Sequence, residues 1–182
     1  KQKTAYEIKE CDWSSAVCSS DLAMNAGSDP RFPIVLVEPE IAPNTGNIAR
    51  LCAVTGAVLH LVEPLGFALG DRELKRAGMD YWDHLDWEVV DDWAELRQKL
   101  PDRRFWLFTK FATQLAWEPR YQQQDVLVFG SESQGLPERL RVENPAGCVK
   151  FPMREEVRSL NLASTANAAM YEVVRQLGGL PD

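Results

Sequence analysis

Lys150-Phe151-Pro152-Met153-Arg154-Glu155-Glu156-Val157-Arg158-Ser159-Leu160-Asn161, continued by LASTANAAMYEVVRQL from Leu162 to Leu177, is the stretch on which the fold turns. The apolar piece from Cys148 to Met153 reads as the end of a buried strand. A charged loop, Arg154 to Arg158, follows it. Ser159 and Asn161 are both helix-capping types, because a side-chain oxygen can accept from the free N–H groups of a first turn. Beyond them Leu162, Ala166, Ala169, Val173 and Leu177 recur at helical spacing and mark one buried stripe. A polar turn therefore sits between a buried strand and a buried helix. In open α/β sheets ligands bind at such places, at the carboxyl ends of strands.

The same alternation extends through the chain. Ile34 to Glu38 is a continuous apolar run with β-branched residues, and predicts a buried strand ended by Pro39. Pro43-Asn44-Thr45-Gly46 predicts a loop with a helix cap, and Asn47 to Thr55 the helix, stopped by Gly56. Val58 to Val62 is a second strand. Asp71 to Ala77 reads as a short helix and Trp87 to Val90 as a short strand. Asp91-Asp92 caps a helix from Trp93 to Leu100. Arg104 to Thr109 and Asp125 to Phe129 are further strands. The second runs into Gly130-Ser131-Glu132-Ser133-Gln134-Gly135, a turn with glycine at both ends, and Leu136 to Arg141 is a short helix. Strands alternating with helices predict an α/β fold, a mostly parallel sheet flanked by helices.

Residues 1 to 30 differ. They are rich in Ser without sustained periodicity, and Met24 with the following Asn-Ala-Gly-Ser-Asp-Pro reads as a natural start and lead-in. The expectation is a non-native or disordered extension over 1–30, with a native amino-terminal helix or arm as the alternative, and one domain over 31–182.

The 182 residues carry a net charge of −7, which argues against a surface that attracts nucleic acid everywhere, while leaving room for a local basic patch. No apolar run approaches the roughly 20 residues that span a bilayer, so no membrane segment is expected. The four cysteines form no C-x-x-C pair and the two histidines, His60 and His84, lie far from Cys11 and Cys18. No metal site is expected, and a reduced, cytoplasmic setting fits.

Three polar loops follow three strands: Glu38 to Asn47, Gly130 to Gly135 and Arg154 to Asn161. In a parallel sheet they gather at one edge, the default ligand site. The Gly130 turn has the spacing G-x-x-x-x-G, but Leu136-Pro137 stands where a P-loop needs Lys and Ser or Thr, and no G-x-G-x-x-G occurs. Its glycines serve turn geometry, ligand approach or both. Arg50 lies on a helix among apolar neighbours, as a surface residue or a functional one. Arg158 either binds an anion or pairs with Glu155 or Glu156. No Ser-His-Asp set is visible, and both histidines read as structural. Residue patterns alone stop at a ligand edge rich in Asn, Ser, Arg and backbone groups, without a nucleophile.

Taken jointly, three stretches carry a resemblance. They are Glu38-Pro39-Glu40-Ile41 with Asn44-Thr45-Gly46-Asn47-Ile48-Ala49-Arg50; Phe129-Gly130-Ser131-Glu132-Ser133-Gln134-Gly135-Leu136-Pro137; and Phe151-Pro152-Met153 with Arg158-Ser159-Leu160-Asn161-Leu162 and Tyr171-Glu172. They resemble the three motifs of the SPOUT, or α/β-knot, RNA 2′-O-ribose methyltransferases. Glu63-Pro64-Leu65-Gly66-Phe67 and Arg76-Ala77-Gly78-Met79-Asp80-Tyr81 narrow the resemblance to the short bacterial members that modify the wobble nucleotide, cytidine or modified uridine 34, of leucine tRNAs. Ala42 departs from the proline that many relatives carry there; Pro43 beside it keeps the loop rigid.

The resemblance implies a carboxyl-terminal deep trefoil knot, which a derivation from general topology rules would reject. It implies S-adenosyl-L-methionine as cofactor, framed by backbone near Leu107, Gly130 and Phe151 with Ser159 and Leu160 nearby. It implies a homodimer through the last helix and the first motif's helix. It gives Arg50 the task of activating the 2′-hydroxyl, with Ser159 and Asn161 beside it. Asn44 is an implied substrate contact, and Arg154, Arg158 and Tyr171 are implied to bind the anticodon loop of a tRNA or to brace the dimer. Other members act on other tRNA sites or on rRNA, and a non-catalytic RNA-binding module is the reading from a different class.

Overall fold

The computed structural model describes residues 31–69 and 85–180. The readings for residues 1–30, the short helix over 71–77 and His84 lie outside the described residues.

Six strands form one sheet: β1 (Pro33–Val37), β2 (Val58–Val62), β3 (Trp87–Val90), β4 (Phe105–Phe108), β5 (Val126–Phe129) and β6 (Cys148–Val149). Their order is β3-β2-β1-β5-β4-β6, and every pairing between these strands is parallel. The helices are α1 (Ala42–Thr55), α2 (Trp93–Lys99), α3 (Glu138–Glu143) and α4 (Leu162–Leu177), with a 3₁₀ turn over Pro145–Gly147. The expected α/β class and parallel sheet are both present.

The strand sequences explain the layering. Alternate residues of a strand point to opposite faces, so a strand covered on both sides is apolar throughout. Ile34, Leu36, Leu59, Leu61, Leu127 and Phe129 pack with Ile48, Cys52, Ala166, Met170 and Val173 of α1 and α4. Val35, Val37, Val126 and Val128 face the other way, toward Leu96 of α2 and Leu140 of α3. Burial pushes the Cys52 thiol pKa far up, as expected of a core cysteine rather than a reactive one.

Helix boundaries differ from the sequence reading where proline and glycine stand. Helix α1 begins at Ala42, not at Asn47, and takes in Pro43-Asn44-Thr45-Gly46. Pro43 falls in the first turn, where its missing N–H has no intrahelical partner to lose. Ile41 holds the cap position without a side-chain bond, which leaves the Asn44 side chain available elsewhere. Gly56 ends α1 in the left-handed conformation, as expected. Pro137 precedes α3, which starts at Glu138 rather than Leu136. Of the two capping candidates before α4, Asn161 is the cap, its Oδ1 accepting from Ser164 N at 3.1 Å. Ser159 is not.

The last strand is shorter than expected, ending at Val149 rather than running to Pro152. Lys150 leaves the main ladder and pairs with the segment after β4, donating to Gln114 O at 3.0 Å and accepting from Ala116 N at 2.8 Å. Pro152, without an N–H, cannot extend a ladder further.

Candidate active site

Going outward from β1, β2 and β3 lie on one side and β5, β4 and β6 on the other. The strand order reverses between β1 and β5, and loops leaving neighbouring strands there part and open a crevice. The segments after β1, β5 and β6 meet at this place, the gathering expected from a parallel sheet.

Side chains tie the three segments together. The Glu132 carboxylate accepts from Glu40 N and from Asn44 Nδ2, both at 2.8 Å. Glu40 in turn accepts from Ser133 N at 3.0 Å. Asn44 Oδ1 accepts from Asn161 Nδ2 at 2.9 Å. A continuous relay thus runs from Glu132 through Asn44 to Asn161 and into the first turn of α4. The motif residues are distant in sequence but hydrogen-bonded in space, and Asn44 is only 7% exposed. The two part-buried bonds at Asn44 orient its amide, because a bond left unmade at a buried group is costly, while Glu40, Ser133 and Asn161 are exposed.

The Gly130–Gly135 turn closes on itself. Gly135 N donates to Ser131 O at 2.9 Å. A Cβ on Gly130 would stand 2.2 Å from Gly135 C and from Leu136 N, so only glycine fits there. Gly135 adopts φ 71, the left-handed region that favours glycine. Turn geometry therefore explains both glycines.

A cavity of about 350 Å³ opens between these segments. Its wall combines apolar side chains, among them Phe108, Leu136 and Phe151, with backbone of the Gly130–Gly135 turn and polar groups of Asn44, Ser159 and Asn161. Small-molecule sites have this size and mixture. Phe108 stacks on Phe129 with centroids 4.7 Å apart and faces Phe151 at 5.8 Å, which makes the inner wall rigid and flat.

Of the residues singled out beforehand, Asn44, Gly130, Phe151, Arg158, Ser159, Leu160 and Asn161 all border this cavity. Leu107 does not border it. Its side chain is fully buried in the opposite core layer, and the following Phe108 and Thr109 reach the cavity instead. Arg154 is exposed on the loop. Arg50 and Tyr171 border a second depression between α1 and α4, together with Val54 and Asn167. Asn161 borders both, so the two hollows adjoin at the cap of α4. Glu132 received no role from the sequence, although an acid inside a turn between two glycines was a signal for it.

Among the described residues no cluster of His, Cys, Asp and Glu suited to a metal ion is found, and no helix is long and apolar enough to cross a membrane.

Residues 31–171 match the model of the SpoU rRNA methylase family. A tRNA (cytidine(34)-2′-O)-methyltransferase of Methylovorus glucosotrophus is 47% identical over 146 residues, covering 80% of this chain and 95% of that protein. One of Burkholderia cenocepacia is 45% identical over 150 residues, covering 81% and 96%. A solved structure described as giving structural insights into the 2-OH methylation of C/U34 on tRNA superposes with a TM-score of 0.78 at 43% identity, covering 82% of this chain and 99% of that one. The fold is shared more widely, with the SpoU methyltransferase AviRb of Streptomyces viridochromogenes in complex with AdoMet, at a TM-score of 0.75 and 22% identity, over 83% of this chain and 60% of that one. The motif residues, the parallel sheet and these likenesses agree: the chain belongs to the SpoU rRNA methylase family.

Proposed function

We propose that this protein transfers a methyl group from S-adenosyl-L-methionine to the ribose 2′-hydroxyl of nucleotide 34, cytidine or modified uridine, in the anticodon loop of leucine tRNA. The observation that carries the reading is the cavity whose wall is closed by the Glu132–Asn44–Asn161 relay, joining three motif segments at one sheet edge. The names of the relatives at 45–47% identity support nucleotide 34.

The residues present suit the cofactor. A cavity of about 350 Å³ with a flat aromatic and aliphatic wall and exposed backbone groups accepts an adenine and a ribose. Backbone of the Gly130 turn, Phe151 and Leu160 would hold it, with the end of β4 after Leu107 as the floor. When bound, it supplies an electrophilic methyl group on a sulfonium sulfur. The ribose 2′-oxygen would take that methyl, the sulfur leaving as a neutral thioether and the hydroxyl proton passing to solvent.

The protein's work is alignment and charge stabilisation. Asn161 is fixed by its bonds to Asn44 and to the turn it caps, and with Ser159 it orients the ribose. Arg50 approaches from the adjoining depression and stabilises charge developing on the 2′-oxygen. A guanidinium stays protonated, so Arg50 orients rather than removes the proton. Arg154 and Arg158 contact the tRNA, whose phosphates need only a local basic surface, and Tyr171 either contacts the tRNA or braces the dimer.

Two features of the whole chain belong to the same proposal. Strand β6 lies at the sheet edge beyond β4, whereas α4 packs on α1 and β5. The chain after Phe151 returns from that edge to the middle of the sheet, a path that agrees with the proposed carboxyl-terminal trefoil knot. The α1–α4 face carries Val54 and Tyr171 at 54% and 50% exposure beside Arg50, which supports a homodimer formed there.

The test is methylation of purified leucine tRNA with labelled cofactor, followed by mapping. Label at ribose 34 is expected, and label at another site, or none, overturns the assignment. Arg50→Ala is expected to lower methyl transfer by about 100-fold while cofactor binding by calorimetry is kept. Near-normal turnover would remove Arg50 from the mechanism.

A further inference from the structure

The turn after β4 presents an aromatic ring that neither the core nor the cofactor reading uses. Phe111 is 63% exposed at the mouth of the cavity. Single exposed apolar residues are ordinary, but the setting of this one is not. The turn is pinned on both sides by backbone bonds, Thr109 N to Val149 O at 2.9 Å and Ala116 N to Lys150 O at 2.8 Å, with Ala112 N to Thr109 O at 3.2 Å inside it. The ring is therefore held out by a fixed scaffold. Two cations flank it: Arg141 Cζ lies 4.3 Å from the ring centroid and Lys110 Nζ 5.3 Å. Arg141 Nε is buried with no hydrogen-bond partner among the described residues, so the guanidinium is set against the ring without a bond at that nitrogen. Further apolar surface borders the same mouth, with Ile41, Met153 and Leu160 at 45%, 39% and 47% exposure.

A ring with two cations beside it suits a nucleobase carrying its phosphates. Every base has a π-face that stacks on an aromatic side chain, and the flanking cations meet the backbone. Of the two, Lys110 is the one that yields its place over the ring, since it is exposed and on a flexible stem. We infer that Phe111, with Lys110 and Arg141, is a stacking platform for an unpaired nucleotide of the substrate RNA other than the one being methylated. The inference rests on the RNA methylation reading above and adds to it a specificity element outside the three motifs. It makes Phe111 a positioning residue: it holds the loop so that the target ribose reaches the cavity.

The experiment uses the full chain, a labelled anticodon stem-loop hairpin and S-adenosylmethionine. Phe111→Ala is expected to weaken hairpin binding and raise the KM for the hairpin by roughly tenfold, the scale of one lost base–aromatic stack. The KM for S-adenosylmethionine stays within about twofold, and Phe111→Tyr restores binding. Lys110→Ala and Arg141→Ala each lower the salt slope of hairpin binding by roughly 0.7. Hairpins with one abasic loop position identify the stacked nucleotide, as the one whose loss weakens the wild type but not Phe111→Ala. Unchanged hairpin affinity in Phe111→Ala overturns the platform while leaving the methylation reading intact. Weakened cofactor binding with hairpin binding kept makes the ring a wall of the small-molecule cavity and also overturns it. So does an altered sedimentation coefficient with hairpin binding kept, which assigns the ring to a protein interface. A wild type that binds no hairpin overturns both readings.

Discussion

At the scale of the residue, the glycines of the Gly130–Gly135 turn separate two physical demands. Gly130 needs the absence of a Cβ, because backbone of Gly135 and Leu136 occupies that space. Gly135 needs only its φ of 71, and a Cβ there would meet open space. Gly130→Ala is expected to cost roughly 2 kcal/mol or more, a fall in Tm on the order of 5 °C, and to abolish cofactor binding by displacing Leu136 from the cavity wall. Gly135→Ala is expected to cost about 1 kcal/mol, the price of a left-handed alanine, with cofactor binding kept. Thermal melts with calorimetry on both variants check this, and equal losses would refute it. Both glycines could be read as turn residues from the sequence. Their different reasons could not, because one depends on a φ angle and the other on a contact. Asn44 shows the same limit. It was assigned to substrate contact, yet its amide bonds Glu132 on one side and Asn161 on the other, which makes it first an orienting group.

At the scale of the element, helix α4 was legible in full. Leu162, Ala166, Ala169 and Val173 are buried as its period required, and Leu177 is partly buried at the end. Helix α1 was legible in its second half only, because Pro43 and Gly46 signal a loop more strongly than a helix start and the burial that overrides them is tertiary. The histidine on β2 reads as structural, and its surroundings agree. His60 Nδ1 lies 3.0 Å from Glu88 Oε1 of β3 without an aligned hydrogen bond, while Lys99 Nζ of α2 donates to Glu88 Oε2. The His60 side chain first, and then Lys99, hold the Glu88 carboxyl down to about 2 from its usual 4.5, against the opposing effect of burial. A depressed carboxylate stabilises the fold above its unfolded pKa, and that contribution is lost as pH falls through the folded value. Glu88→Gln is therefore expected to be less stable than wild type above pH 4.5, with the gap closing as pH falls toward 2. Urea titrations across this range check it, and a gap independent of pH would show that the pairing contributes nothing.

At the scale of the molecule, the proposed dimer covers the depression that adjoins the cavity at Asn161. Val54 and Tyr171 stand half-exposed on α1 and α4 around the depression that holds Arg50. Val54→Asp places a charge where an apolar contact is proposed, and an unpaired buried charge is strongly unfavourable. The expected outcome is a monomer by sedimentation with methyl transfer reduced at least about tenfold. A wild type that sediments as a monomer under assay conditions would rule the dimer out.

The sequence by itself determined the α/β class, the apolar strands, the helix at the carboxyl end and the three polar segments that build the site. These follow from periodicity, turn residues and capping types, which are local and act over a few residues. Tertiary structure alone decided the strand order that puts β5 between β1 and β4, and hence which segments face one another across the crevice. It decided the Glu132–Asn44–Asn161 relay, in which Asn44 and Asn161 stand 117 positions apart, and the exposed placing of Phe111 between two cations. Such contacts depend on how the layers stack, which no local pattern records. The loop from Phe151 to Asn161 stood out first as the polar turn before a capped helix. Folded, it is one side of a cavity whose other sides come from Ile41 and Asn44, the Gly130 turn and the end of β4.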